Sequence, residues 1–191
     1  MAQRHYKLVL IGDSAVGKTT LISKYTGSNI SGRHIPTVGA GYYTTEVGVE
    51  GDMIPFDVWD TAGQELYHAL VPHYARGAHS AIIVFDVTDI SSFENLGAWV
   101  DFIREQPSEM VTMLFGNKTD LKGDRKISSQ KAKQFADENG LMYMEGSALK
   151  GEGVEDCFSA LASQTHSVFK LQNSVPSIPK EKTKDGDSYC C

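Results

Sequence analysis

The order of apolar runs, glycine-rich loops and amphipathic stretches predicts an α/β fold. The sheet should have six strands, mostly parallel, with one antiparallel hairpin strand and helices on both faces. Three observations carry this. Short apolar runs of buried-strand length alternate with segments of helical periodicity, the signature of crossover connections. Polar, glycine-containing loops follow the strands, where open parallel sheets bind their ligands. A single turn signal, Glu50-Gly51-Asp52, joins two strand-like runs directly and marks the hairpin.

Residues 6 to 11 (YKLVLI) read as a buried strand, and 17 to 26 as a helix. From Gly27 to Gly41 periodicity is lost, and a loop of that length in a compact domain is usually functional. Tyr42 to Val47 alternates as a strand; Met53 to Trp59 returns as the next, followed by a loop from Asp60 to Gln64. Ala81 to Asp86 is a buried strand. Ser91 to Arg104 reads as one helix opened by Ser91 or Ser92 with Glu94 nearby. Val111 to Gly116 is a strand, Ser128 to Asn139 a helix with Gly140 past its end, Leu141 to Glu145 the last strand and Val154 to Phe169 the last helix. After about Leu171 the composition turns polar and proline-containing, which predicts a domain over 1–170 and a disordered tail over 171–191.

The 191 residues suit one domain with a tail, and 41% hydrophobic residues suffice for a core. A net charge of −6 argues against a nucleic-acid partner. The N-terminal apolar run is too short for a signal peptide, and no stretch reaches membrane-spanning length. Three cysteines, Cys157 and the terminal Cys190-Cys191, make no disulfide framework, so the cytosol is the expected compartment. His68, His73, His79 and His166 share no zinc-ligand spacing, and Cys157 reads as a small buried hydrophobe.

The chemistry starts at GDSAVGKT, residues 12 to 19, which fits G-x-x-x-x-G-K-S/T after an apolar strand. Gly12 and Gly17 let the backbone curl around an anion, so that the N–H groups of Asp13, Ser14, Ala15 and Val16 face inward as a nest. The following helix, with Thr20 in its first turn, adds its positive end. Lys18 would reach the β- and γ-phosphates, and Thr19 would ligate Mg²⁺. Asp60, ending an apolar strand, matches a second Mg²⁺-holding position.

In this order the motifs resemble the Ras superfamily of small GTPases over residues 5 to 170. WDTAGQE (59–65), YARGA (74–78), FDVTD (85–89), SFENLGAWV (92–100) and the terminal Cys-Cys resemble the Rab family. PTVGA (36–40), residues 63–78 and the phosphate loop look most like its early-endosomal subgroup. The resemblance implies the P-loop small-GTPase fold and slow hydrolysis of GTP to GDP and phosphate. Asn117, Lys118 and Asp120 match N-K-x-D, whose carboxylate accepts two hydrogen bonds that guanine offers and adenine lacks. Ser147 and Ala148, with Leu149 after them, match the segment whose backbone meets the guanine O6. Thr37 matches the switch threonine that joins Mg²⁺ with the triphosphate, Gly63 the glycine that bonds the γ-phosphate, and Gln64 the glutamine that orients the attacking water. N-K-x-D argues against a P-loop kinase or ATPase, and Gln64 with Thr37 against a silent nucleotide-holding module.

The chain also departs from the family. Ile30 and His34 stand where aromatic residues usually cover the base and phosphates, and Gly146 where threonine is usual, which predicts a looser loop. Trp59 and Tyr74, with Tyr42 or Tyr43 nearby, are expected in an effector-facing aromatic patch. No arginine stands in an obvious in-cis finger position, so an activating protein should supply one. The resemblance further implies an exchange factor, effectors recruited through the loops around 27–43 and 60–78, and prenylation escort and dissociation-inhibitor proteins. It implies a monomer exchanging between cytosol and the cytoplasmic face of early endosomes. The Rab-like dicysteine ending implies that Cys190 and Cys191 carry two geranylgeranyl groups, and because the tail's lysines are balanced by carboxylates, attraction to anionic lipid cannot stand in for them.

Overall fold

The computed structural model describes residues 5–28, 37, 40–62 and 71–174, with side chains placed as far as 170. Its six strands are β1 (Tyr6–Ile11), β2 (Ala40–Val49), β3 (Asp52–Thr61), β4 (Ser80–Asp86), β5 (Val111–Asn117) and β6 (Met142–Glu145). They form one sheet in the order β2-β3-β1-β4-β5-β6, parallel throughout except for the β2–β3 pair. That hairpin turns on two residues, Glu50 at φ 53° and Gly51 at φ 93°. Two consecutive positive φ values give a turn whose twist matches the strands it joins.

Alternation along the central strands sorts side chains onto two faces. Leu8, Leu10, Ile82, Val84, Met113 and Phe115 pack against α1 (Lys18–Thr26) and α6 (Val154–Ser174) through Leu21, Ile22, Phe158 and Leu161. Val9, Ile11, Ile83, Phe85 and Leu114 face the other way. There they meet α2 (Val71–Ala75), α3 (Ile90–Glu94), α4 (Leu96–Arg104) and α5 (Ser129–Asn139) through Val71, Ala75, Phe93, Leu96, Val100, Ala132 and Ala136. The six-stranded sheet with one antiparallel pair and helices on both faces is the fold the sequence predicts.

Three boundaries differ from expectation. Residues 90–104 form two helices that meet at Asn95, and the first is capped by Asp89, whose carboxylate accepts from the Ser91 N–H at 3.1 Å, not by Ser91 or Ser92. Ser92 is buried instead, donating to the Asp89 carbonyl at 2.9 Å and accepting from the Asp86 N–H at 3.0 Å. The last helix runs on to Ser174, past Phe169, because the first helix-opposing signal comes only at Val175-Pro176. Asp60 and Thr61 belong to β3, paired with Gly41 and Ala40, and do not begin the next loop. By contrast, Ser128 caps α5 through the Lys131 N–H, and Gly140 ends it at φ 70°, as the pattern predicts.

Candidate nucleotide-binding site

The carboxyl ends of β1, β3, β5 and β6 bring the motif residues to one side of the sheet. At the end of β1, Gly12 has φ 133°, and a Cβ there would lie 2.2 Å from the Val84 carbonyl oxygen. Gly17 has φ 101°, and its Cβ would lie 2.2 Å from the Asn117 amide nitrogen. Only glycine allows the loop to lie this close to β4 and to the base-side loop. Ser14 and Ala15 are exposed at the rim, while Val16 and Thr20 are buried beneath it.

Lys18 is 5% exposed, and its ammonium donates back across the loop to the Gly12 and Asp13 carbonyls at 2.8 and 2.6 Å. Burial pushes its pKa down to about 8, against the pull of the Asp60 and Asp13 carboxylates. The Thr19 hydroxyl donates to Asp60 Oδ2 at 2.6 Å and lies 2.8 Å from the Thr37 hydroxyl, which is itself 3.5 Å from Asp60 Oδ2. Asp60 is fully buried, and its Oδ1 has no hydrogen-bond partner among the described residues. Burial raises its pKa; the Thr19 bond, Lys18 and Thr37 oppose the rise. Two hydroxyls and an under-partnered carboxylate oxygen form a hard, all-oxygen set, which fits Mg²⁺.

The Asp13 side chain turns away from the loop interior. Its carboxylate accepts from Asn95 Nδ2 at 2.7 Å and Trp99 Nε1 at 2.8 Å, so it ties the phosphate loop to the break between α3 and α4. Its contribution to an anion nest can come only from its main chain.

On the base side, Asn117 is 2% exposed and joins three segments. Its Nδ2 donates to the Val16 carbonyl at 2.8 Å, and its Oδ1 accepts from the Ala148 N–H at 2.9 Å. Lys118 sits at φ 70° and pairs with Asp86 Oδ2 at 2.6 Å. Asp86 Oδ1 accepts from the Thr88 N–H and hydroxyl at 2.8 and 2.7 Å. Burial works to raise the Asp86 carboxyl, but the Lys118 and Thr88 bonds outweigh it and hold it below the ordinary value. Asp86 is missing from the expected site, although it carries the signal that selects Asp60, an acidic residue closing a buried strand. Asp120 is half-buried beside this cluster, and its carboxylate has no partner among the described residues.

Ser147 and Ala148 are buried, and both N–H groups are engaged, with the Glu152 carbonyl at 3.0 Å and with Asn117. The Leu149 N–H, on a residue 64% exposed, has no acceptor among the described residues. The loop is not loosened at Gly146. A Cβ there would lie 2.0 Å from the Glu152 carbonyl oxygen, so glycine permits a tighter fold-back. Behind it Glu145 accepts from Arg125, Ser129 and Tyr143 at 3.1, 2.6 and 2.8 Å.

Toward the sheet edge, Trp59 stacks on Tyr74 with ring centroids 5.3 Å apart, and Tyr42 meets Trp59 at a tilt of 59° with centroids 5.1 Å apart. Tyr42 is 54% exposed and donates to Asp57 at 2.9 Å; Lys7 lies 5.3 Å over Trp59. Ile30, His34, Gly63, Gln64, Cys190 and Cys191 lie outside the described residues. Among the described residues no helix is long and apolar enough to cross a membrane.

Comparison with known proteins agrees with this geometry. The family model described as "Ras family" matches residues 7–167. The chain is 37% identical over 188 residues to "Ras-related protein Rab5" of Nicotiana tabacum, covering 97% of this chain and 94% of the relative. It is 38% identical to "Ras-related protein RABF2b" of Arabidopsis thaliana with the same coverage. It is 39% identical over 179 residues to "Ras-related protein RABA2a" of the same plant, with 93% and 81% covered. With a phosphate loop, a buried carboxylate beside two threonines and an N-K-x-D cluster on one edge of a six-stranded sheet, the chain belongs to the Ras family of small GTPases, as a Rab-type switch that binds and hydrolyses GTP.

Proposed function

We propose that this GTPase controls vesicle traffic on the early endocytic route, recruiting effectors in its GTP state. The observation that carries the switch is the position of Thr37. Its hydroxyl reaches Thr19 and Asp60, so a residue between α1 and β2 is tied to the phosphate end of the cleft. Contacts made by Thr37 and by the Gly63 N–H to the γ-phosphate side hold their loops, and hydrolysis releases them.

Each site residue has a role in this reading. The main chain of 12–17 and the ammonium of Lys18 hold the β- and γ-phosphates. Thr19, Thr37 and Asp60 hold Mg²⁺, which supplies charge neutralisation to the phosphates. Gln64 orients the attacking water. Asp120 accepts the guanine N1 and N2 protons, Asn117 ties its loop to Val16 and Ala148, Lys118 ties it to Asp86, and the backbone at Ala148 and Leu149 meets the base carbonyl. Ile30 covers the base without a stacking ring, and His34 lies over the phosphates. Tyr42, Trp59 and Tyr74 form part of the effector surface.

The early-endocytic assignment is supported by the motifs at 36–40 and 63–78 and by the likeness to proteins named Rab5 and RABF2b. Regulation requires an exchange factor and an activating protein; prenylation escort and dissociation-inhibitor proteins handle the lipids at Cys190 and Cys191. The test is localisation of the tagged chain in its own cell beside Gln64→Leu, Thr19→Asn and the Cys190→Ser/Cys191→Ser double variant. Gln64→Leu should enrich on early endosomes, and the other two should disperse without loss of the fold. An even cytosolic distribution of the parent and Gln64→Leu forms would overturn the traffic assignment.

A further inference from the structure

We infer that Asp13, Asn95 and Trp99 form a clamp that sets the position of the Lys18 ammonium, so that the junction of α3 and α4 governs how tightly the β-phosphate is held. The inference rests on the reading of residues 12–19 as the phosphate loop. It starts from Lys18. An ammonium carries three donors. Two are spent on the Gly12 and Asp13 carbonyls at 2.8 and 2.6 Å, and the third has no acceptor among the described residues. Where that third donor points is therefore fixed by where the two carbonyls stand.

The two carbonyls are held in different ways. Gly12 lies against β4, where a Cβ would come within 2.2 Å of the Val84 carbonyl oxygen. Asp13 is half-buried, and the next two residues, Ser14 and Ala15, are exposed, with Ala15 at φ 61°. Packing does not hold this stretch; the Asp13 side chain does. Its Oδ2 accepts from Asn95 Nδ2 at 2.7 Å and its Oδ1 from Trp99 Nε1 at 2.8 Å. One donor on each oxygen fixes both the position and the plane of the carboxylate, and such charge-assisted bonds are strong. The donors are anchored in turn. They stand four residues apart and so share one helix face. The Asn95 N–H donates to the Ser91 carbonyl at 3.0 Å, and Trp99 is buried in the core with Leu96 and Val100. The path from the core to the ammonium runs through Trp99, the Asp13 carboxylate and the Asp13 carbonyl. By charge alone, a carboxylate on an anion-binding loop opposes the anion. That sign separates a clamp from simple electrostatics, because removing Asp13 would tighten phosphate binding if only its charge mattered.

The test measures GDP and GMP affinities of the full chain, in Mg²⁺ and in EDTA. Trp99→Phe keeps the ring and every charge, and should weaken GDP binding about fivefold, the scale of one charge-assisted hydrogen bond. Asp13→Ala removes both bonds, should weaken it about tenfold, and serves if Trp99→Phe does not fold. GMP lacks the phosphates that Lys18 holds, so its affinity should stay close to the parent's in both variants. The GDP loss should persist in EDTA, because the path runs through Lys18 and not through Mg²⁺. Gly97→Ala, in the same helix but with nothing within 4 Å of the added carbon, should bind GDP as the parent does. Parental GDP affinity in a folded Trp99→Phe or Asp13→Ala variant, equal losses for GDP and GMP, a loss confined to Mg²⁺, or the same loss at Gly97→Ala would overturn the inference. The parent reports on the loop itself. A strong parental preference for GDP over GMP with no change in the variants sinks this inference alone. No parental preference sinks the phosphate-loop reading with it.

Discussion

At the base end of the cleft the supporting carboxylates are matched, Asp86 with Lys118 and Thr88, and Glu145 with Arg125, Ser129 and Tyr143, each carboxyl held below its ordinary value despite burial, while Asp120 has no partner among the described residues. At the phosphate end the same chemistry runs in reverse. Burial raises Asp60 and lowers Lys18, and one oxygen of Asp60 lacks a partner. Both regions stand on the ends of parallel strands, and they differ in depth as well as in partners: Asp60 and Lys18 are 0% and 5% exposed, whereas the side chains of Glu145 and Lys118 are 24% and 32% exposed. A frame that must discriminate one base from another benefits from rigidity before the ligand arrives. A frame that must answer to a γ-phosphate benefits from charges whose solvation the ligand completes.

The sharpest way to break this contrast is at Asp120. Asp120→Asn should cost on the order of 10⁴-fold in GTP affinity and admit xanthine nucleotide, because an amide can donate where the carboxylate accepted. A competition assay with GTP and XTP checks it, and unchanged GTP preference would make the 117–120 segment a mere turn.

Next in size is Asp60→Asn, which should act in opposite directions on binding and on stability. With Mg²⁺ present, GTP affinity should fall about 100-fold, the scale of a lost metal contact. In EDTA parent and variant should converge. The nucleotide-free variant should melt no lower than the parent, since a buried, under-partnered charge has been removed. A lower melting temperature would show that Asp60 is as well matched as Asp86.

A smaller effect is expected at the link between the halves of the chain. Trp99→Phe removes the indole donor to Asp13 while keeping an aromatic ring, and should speed GDP release about fivefold, in line with loss of a charge-assisted hydrogen bond at a partly buried site. Equal release rates in stopped-flow would mean that the phosphate loop holds its shape without α4.

The smallest lies in acid. Because Asp86 is depressed in the folded state, it contributes stability above the unfolded carboxylate pKa near 4, and that contribution is lost as pH falls through the folded value. Asp86→Asn should therefore flatten the fall in urea stability below pH 4 by at most one proton's worth of slope. An unchanged slope would remove the Asp86–Lys118 pair from the contrast.

How far the sequence foretells this arrangement depends on the range of the interaction. The strands, the glycine turns and the caps at Ser128 and Gly140 rest on local patterns and are legible. So is Asp60, from its place after an apolar run. The break at Asn95 is not, because the partner of its side chain is Asp13, 82 residues earlier. Gly146 misleads for a related reason. A glycine in a loop suggests slack, whereas here its use is to admit a carbonyl from residue 152, which no periodicity reveals. Asp86 carries the same signal as Asp60, but its neighbours mask it, since FDVTD reads first as a family motif.

The hydrogen bond from Trp99 to Asp13 also gives the protein an optical reporter. The chain has two tryptophans. One donates to the phosphate loop; the other, Trp59, precedes Asp60 and stacks on Tyr74. Indole emission responds to adjacent charge and to ring contacts, so each of them senses a different shore of the cleft. In a Trp59→Phe protein the remaining fluorescence follows the phosphate loop alone, and in a Trp99→Phe protein it follows the aromatic surface. Recorded together after mixing with nucleotide, the two traces time whether the loop settles before the surface rearranges, with no label attached.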